Sequence, residues 1–84
     1  MEAPGFPKLK YLTKVDGHEW AGEMTDGIFL HVRQKGGIIY LGAAWTPRLA
    51  ENRCTEPVAE AYGEITEADL IDKLELQMEE THGA

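Results

Sequence analysis

Three evenly spaced turn signals constrain what this chain can fold into. Asp16-Gly17, Asp26-Gly27 and Gly36-Gly37 recur every ten residues between segments rich in β-forming residues. These dipeptides suit two-residue type I′ turns, because both central positions of such a turn need a positive φ. The spacing therefore predicts a four-stranded antiparallel β-meander, with strands over residues 9–15, 18–25, 28–35 and 38–45.

Two-residue turns also fix the pairing of the strands. The residue numbers of two positions that lie opposite each other should sum to 33 in the first hairpin, 53 in the second and 73 in the third. The first sum places Lys10 opposite Glu23 and Lys14 opposite Glu19, which gives two pairs of opposite charge in one hairpin. We take these pairs as support for the predicted register.

The predicted register sorts the side chains onto two faces, since neighbours along a strand point to opposite sides. The core face carries a row of Leu12, Ala21, Val32 and Leu41, with Leu30, Ala43, Ile39, Ile28 and Trp45 nearby. The aromatic face carries Thr13, Trp20, Arg33 and Tyr40 in one row and Tyr11, Gly22, His31 and Gly42 in the next. Met24, Phe29 and Ala44 complete it.

The C-terminal part predicts one helix. Thr66 and Asp69 form a capping box, and an apolar stripe of Leu70, Ile71, Leu74 and Met78 follows. We expect a helix over residues 66–82 that packs on the core face, with Leu76 off the stripe. The predicted fold is therefore α+β: a four-stranded antiparallel β-meander with a C-terminal α-helix packed on one face.

The remaining segments carry weaker signals. Residues 1–7 should form an extended arm, because Pro4 and Pro7 exclude a helix. Thr46-Pro47 and Thr55-Glu56-Pro57 both resemble helix starts, and residues 46–65 are otherwise irregular. Residues 58–62 could form either a short helix or an additional edge strand, and the sequence does not decide between them.

Length and composition limit the classes of protein to which this chain can belong. The 84 residues should form one domain, and they contain no apolar stretch long enough to span a membrane and no signal peptide. The one cysteine, Cys54, cannot form an internal disulfide, which favours a reducing compartment. We therefore expect a cytoplasmic protein.

Charge is unevenly distributed along the chain. Residues 1–50 hold six Lys/Arg against five Asp/Glu, whereas residues 51–84 hold two against ten, which accounts for the net charge of −7. Such a balance argues against direct binding of nucleic acid, because phosphate contacts need basic side chains.

No catalytic or cofactor motif is evident. The chain contains no serine, and although Arg53 beside Cys54 favours activation of its thiol, the nearby Glu51 and Glu56 oppose it. His18, His31, Cys54 and His82 lack the spacing of known zinc motifs. The adjacent glycines mark a hairpin turn and do not precede a helix that could bind phosphate. We therefore predict a non-enzymatic protein with no metal and no cofactor.

The aromatic face is the best candidate binding site. Trp, Tyr and Arg are enriched at interface hot spots, and the glycines beside His31 leave a hollow there. The predicted partner-binding residues are Tyr11, Trp20, His31, Arg33 and Tyr40. We expect another protein to bind them, unless residues after Trp45 cover this face as a second small core. Stacking of single-stranded nucleic acid on the aromatic rings is a further alternative with few cations to support it.

The acidic helix supplies another hypothesis. Its predicted exposed carboxylates are Glu67, Asp72, Glu75, Glu79 and Glu80. In size and charge, though in no motif, the chain is similar to small viral inhibitors of nucleic-acid machinery, including some anti-CRISPR proteins. That similarity implies an acidic mimic of nucleic acid that occupies the groove of a nucleic-acid-binding protein. A free sheet edge could in addition pair with a second copy to form a homodimer.

Overall fold

The computed structural model describes residues 7–78, which form an antiparallel β-sheet with short helices. The strand order is β1-β2-β3-β4-β5. The elements in chain order are β1 (Leu9–Asp16), β2 (Glu19–Met24), β3 (Phe29–Lys35), β4 (Ile38–Ala44), α1 (Pro47–Asn52), β5 (Glu56–Glu60) and α2 (Glu67–Lys73). The class is α+β, with five strands where the sequence predicted four. Each predicted strand lies within one residue of an observed one, whereas most of the predicted arm lies outside the described residues.

The three turns differ, although their sequences look alike. Gly36 and Gly37 both have positive φ, of 60° and 82°, and β3 and β4 pair with the predicted sum of 73. At the second turn only Gly27 has a positive φ, and the amide of Met24 donates to the carbonyl of Ile28. That pattern is a three-residue loop, so the predicted two-residue turn is wrong there. Gly17 has no positive φ, so the first turn is not type I′ either.

The different turns exchange the two faces of strand β2 relative to the prediction. Trp20 lies opposite Val32 rather than Arg33, because the longer second turn shifts the register by one residue. In the first hairpin the register shifts twice, once on each side of the run from Tyr11 to Lys14. A shift of one residue moves every side chain of a strand to the opposite face. Strands β3 and β4 keep their predicted faces, as β1 does from Tyr11 to Lys14, whereas β2 exchanges them. Leu9 lies before the first shift in β1 and packs in the core with Met24 and Leu30.

One of the two predicted ion pairs is confirmed and the other is wrong. Lys10 Nζ lies 3.8 Å from Glu23 Oε2, even though Tyr11 is the residue that pairs with Glu23. Lys14 lies opposite Trp20 instead of Glu19, and its Nζ is 5.8 Å from the centre of the indole ring. The charge pairs were therefore weak evidence for the register, since long side chains reach diagonal neighbours.

Residues 46–65 contain both a helix and a strand. Thr46 caps α1 by accepting a hydrogen bond from the amide of Leu49, as its position before Pro47 predicts. Of the two alternatives left open for the second segment, the edge strand is the one observed: residues Glu56–Glu60 form β5 beside β4, and Thr55 does not start a helix. Pro57 is tolerated at an edge, where a missing amide removes no central ladder bond.

Helix α2 begins as predicted and ends early. Thr66 and Asp69 form the predicted capping box. After the helix, Glu75 adopts φ 57°, and the amide of Leu76 donates to the carbonyl of Ile71. This Schellman arrangement terminates the helix, so the predicted helix over 66–82 is wrong over residues 74–78. Residues 79–82 lie outside the described residues.

The core lies largely on the face of the sheet that carries Trp20, hereafter the Trp20 face. Trp20, Val32, Ile39, Ala61 and Leu70 form one buried cluster, and Leu9, Met24 and Leu30 form another. Leu76, which did not fit a helical stripe, packs against the second cluster because it lies past the end of α2. The opposite side of the sheet, hereafter the His31 face, carries His31, Arg33 and Gly42.

Candidate functional site

Helix α1 covers part of the His31 face through a glycine. A Cβ atom at Gly42 would overlap the carbonyl oxygen of Ala50 and lie 2.6 Å from the amide nitrogen of Cys54. The thiol of Cys54 donates to the carbonyl oxygens of His31 and Tyr40, each at 3.3 Å. The predicted hollow beside His31 is therefore filled, on the Gly42 side, by backbone that only glycine admits.

Three polar side chains meet on this face beside α1. Nε2–H of His31 donates to Oε1 of Glu19 over 2.7 Å, and Nη2 of Arg33 donates to the same oxygen over 3.3 Å. His31 is only 6% exposed. Glu19 takes part because the inverted strand β2 places it opposite Arg33. A buried imidazole is thus anchored to a carboxylate, as a polar group out of water requires.

These contacts change the ionisation of the acid. The hydrogen bond from His31 lowers the pKa of Glu19, and Arg33 acts in the same direction. Glu19 in turn raises the pKa of Arg33. Glu19 is therefore held as a carboxylate.

An open groove begins at this cluster. Its volume is about 480 Å³, and it lies between strands β1 to β3 and helix α1. The residues that line it include Tyr11, Val15, Asp16, Glu19, Phe29, His31, Pro47, Arg48 and Glu51. We call it the α1 groove. Apolar rings and carboxylates both face it, which is typical of a recognition surface rather than a closed core.

Glu51 brings a second carboxylate to the cluster. One ligand atom from each of Glu19, His31 and Glu51 lies within 4.8 Å of the others. They come from β2, β3 and α1, so no short spacing in the sequence reveals them. The expectation of no metal rested only on sequence spacing.

A second groove lies on the other side of α1. It has a volume of about 460 Å³ and is lined by Arg33, Lys35, Gly36, Ile38, Tyr40, Cys54 and Thr55. Burial raises the pKa of the Cys54 thiol, which disfavours the reactive thiolate. This groove therefore presents two cations and a phenol, and Cys54, which is only 2% exposed, lies beneath its surface.

The predicted binding residues do not all share a face. His31, Arg33 and Tyr40 lie on the His31 face as predicted, and Tyr11 lines the α1 groove. Trp20 is 1% exposed within the core on the Trp20 face. The predicted row of Trp20, Arg33 and Tyr40 is wrong, because the three-residue turn puts Glu19 in the place of Trp20.

Sequence reasoning missed Glu19, Glu51 and Trp45. Trp45 is 70% exposed at the end of β4, although the sequence placed it on the core face. Of the predicted acidic surface, Glu67, Asp72 and Glu75 lie on or directly after α2, whereas Glu79 and Glu80 lie outside the described residues. Asp72 and Glu75 are exposed and Glu67 is half-buried.

Over residues 7–78, no helix combines the length and apolar character needed to cross a membrane. No family model matches the chain, and neither the curated proteins nor the solved structures searched for similarity returned a match.

Proposed function

We propose that this chain is a small non-enzymatic interaction module that binds another protein through the α1 groove. The observation that carries this proposal is the apolar wall of the groove on β1. Tyr11 is 43% exposed and Val15 is 55% exposed, and both line the same open groove. Exposed apolar side chains beside a concavity are more typical of a binding surface than of a solvated sheet.

The groove also has the mixed character of an interface. Pro47 and Arg48 of α1 face the β1 wall, and the Glu19–His31 pair lies beside them. An aromatic anchor with a nearby arginine is a common hot-spot composition. The partner that fits is a protein segment with an apolar side chain for Tyr11 and Val15 and a polar group for the charged floor.

The test uses two double variants of matched composition. Tyr11→Ser with Val15→Ser removes the apolar wall, and Tyr62→Ser with Val58→Ser removes the same residue types from exposed positions that do not line the groove. Partners are captured from a nuclease-treated lysate of the source cell with each tagged protein, and the affinity of any captured partner is then measured.

We expect the groove variant to lose at least about 2 kcal/mol of binding, or roughly 30-fold in Kd, and the control to keep its affinity. A partner that binds both double variants as tightly as the unmodified protein would contradict the proposal. Circular dichroism establishes that both variants are folded.

The acidic-mimic alternative remains a second proposal with a different signature. It rests on the charge of residues 51–84, and the early end of α2 shortens the regular array of carboxylates that the sequence predicted. A mimic would release its partner at moderate salt, would compete with DNA or RNA, and would bind equally well after the Tyr11 and Val15 changes.

A further inference from the structure

The cluster at the floor of the α1 groove combines donors that suit a metal ion. Glu19 and Glu51 supply carboxylate oxygens and His31 supplies an imidazole nitrogen, with one ligand atom of each within 4.8 Å of the others. Two atoms bound to one zinc ion lie about 3–4 Å apart, because zinc–oxygen and zinc–nitrogen distances are about 2.0–2.2 Å. Glu51 is exposed on α1, so a small rotation of its side chain closes the difference.

We propose that Glu19, His31 and Glu51 bind a first-row divalent transition-metal ion of the zinc class. One imidazole and two carboxylates form a ligand set that such ions accept, whereas magnesium and calcium prefer oxygen donors alone. A three-residue set leaves a coordination position that faces the groove.

The surroundings of the three residues favour a cation. Among the lining residues Asp16, Glu19 and Glu51 are acidic and Arg48 is basic. With Arg33, which lies 3.3 Å from Glu19, three carboxylates stand against two cations. Arg33 donates to Oε1 of Glu19, and metal-binding carboxylates are commonly oriented by such hydrogen bonds. The ring proton of His31 would move from Nε2 to Nδ1 as the metal takes its place, so the imidazole binds in its neutral form.

An ion bound by these three residues would link helix α1 to the sheet. His31 and Glu19 lie on adjacent central strands and Glu51 lies on α1. An ion that bridges them binds only the folded state, so it should raise the unfolding temperature.

The experiment measures binding of zinc to the full chain after removal of metals with a chelator. Calorimetry gives the stoichiometry and affinity, and thermal unfolding with and without zinc gives the stabilisation. Glu51→Gln and His31→Gln test the site. His18→Gln and Glu60→Gln are the controls, because His18 and Glu60 are exposed and belong to neither the cluster nor the α1 groove.

We expect one zinc ion per chain, a higher unfolding temperature with zinc, and no comparable effect of magnesium. Both controls should retain the affinity, whereas each site variant should lose at least about tenfold. Absence of zinc binding by the unmodified protein, or equal affinity of Glu51→Gln, would overturn the proposal. Glu51→Gln tests the metal site even if His31→Gln does not fold, because Glu51 is exposed and its replacement should leave the fold intact.

Discussion

Glu19 on β2 and His31 on β3 are joined by a 2.7 Å hydrogen bond although they are separated by 12 positions in the chain. The bond partners a buried imidazole with a carboxylate whose pKa lies below its ordinary value of 4.5. A lowered pKa means that the folded state favours the ionised acid. Its contribution to stability is therefore full well above pH 4.5 and is lost as the pH falls through the pKa of the folded state.

Replacing Glu19 with Gln should make this contribution visible. At pH 7 we expect the variant to be less stable by about 1 kcal/mol, below the ~1.5–3 kcal/mol of a hydrogen bond to a charged group, because the site is partly hydrated. The difference between the two proteins should shrink as the pH falls below 4.5. Urea unfolding at several pH values measures it, and a difference that does not change with pH would argue against this role for Glu19.

Trp20 should support the fold rather than binding. It is buried among Val32, Ile39 and Leu70, so Trp20→Ala should cost roughly 3–5 kcal/mol in the free energy of unfolding. Trp45 is largely exposed, and Trp45→Ala should change stability by no more than about 0.5 kcal/mol. Denaturant unfolding measured by circular dichroism compares the two variants, and similar costs would contradict the assignment of Trp20 to the core.

The two tryptophans should also differ in fluorescence. A Trp45→Phe protein retains only the buried Trp20. Its emission maximum should therefore lie at a shorter wavelength, and iodide should quench its fluorescence only weakly. A folded Trp20→Phe protein retains only Trp45 and should show the opposite behaviour. Equal quenching of the two single-tryptophan proteins would show that the environments do not differ as described.

Gly42 and Gly17 provide a matched pair of glycine substitutions. Gly42→Ala places a methyl group against the backbone of Ala50 and Cys54, and we expect a loss of about 3 kcal/mol or more as α1 is pushed from the sheet. A Cβ at Gly17 meets no atom within 4 Å, so Gly17→Ala should change stability by at most about 0.5 kcal/mol. Thermal unfolding of both variants gives the comparison, and a neutral Gly42→Ala would mean that α1 does not rest on the sheet there.

Glu75 offers a site for stabilisation. It ends α2 with φ 57°, a left-handed conformation that glycine adopts without a steric cost. Glu75→Gly should therefore raise the free energy of unfolding by up to about 1 kcal/mol. Glu75→Gln removes the charge but keeps the side chain, so it should not reproduce the gain, and a similar gain in both would identify charge as the cause.

The strands could be predicted from the sequence because turn signals and β-forming residues are local. The face on which each side chain of β2 lies could not be predicted, because Asp26-Gly27 suits two kinds of turn. One is a two-residue turn, and the other is a three-residue turn with Gly27 in the left-handed region. A signal was nevertheless present. In the predicted register Lys10 and Lys14 lie on the same face as Leu12, so both Lys–Glu pairs fall on the core face while Trp20 lies outside it. The shifted register instead places Trp20 and Met24 beside Leu30 and Val32.

The candidate site was predictable only in part. His31, Arg33 and Tyr40 kept their face because β3 and β4 are joined by the one turn whose geometry was predicted correctly. Glu19 joined them only through the inversion of β2, and Glu51 through the packing of α1 on Gly42. Both depend on contacts between distant segments, which local patterns do not encode.

The buried thiol of Cys54 makes the motion of α1 measurable. It is the single cysteine of the chain, and its sulfur is enclosed between the end of α1 and the carbonyls of His31 and Tyr40. An alkylating reagent can reach this sulfur only when that segment separates from the sheet, so the labelling rate reports how often local opening occurs. If a ligand in the α1 groove holds the helix in place, the rate at which the reagent labels Cys54 should fall when that ligand is bound.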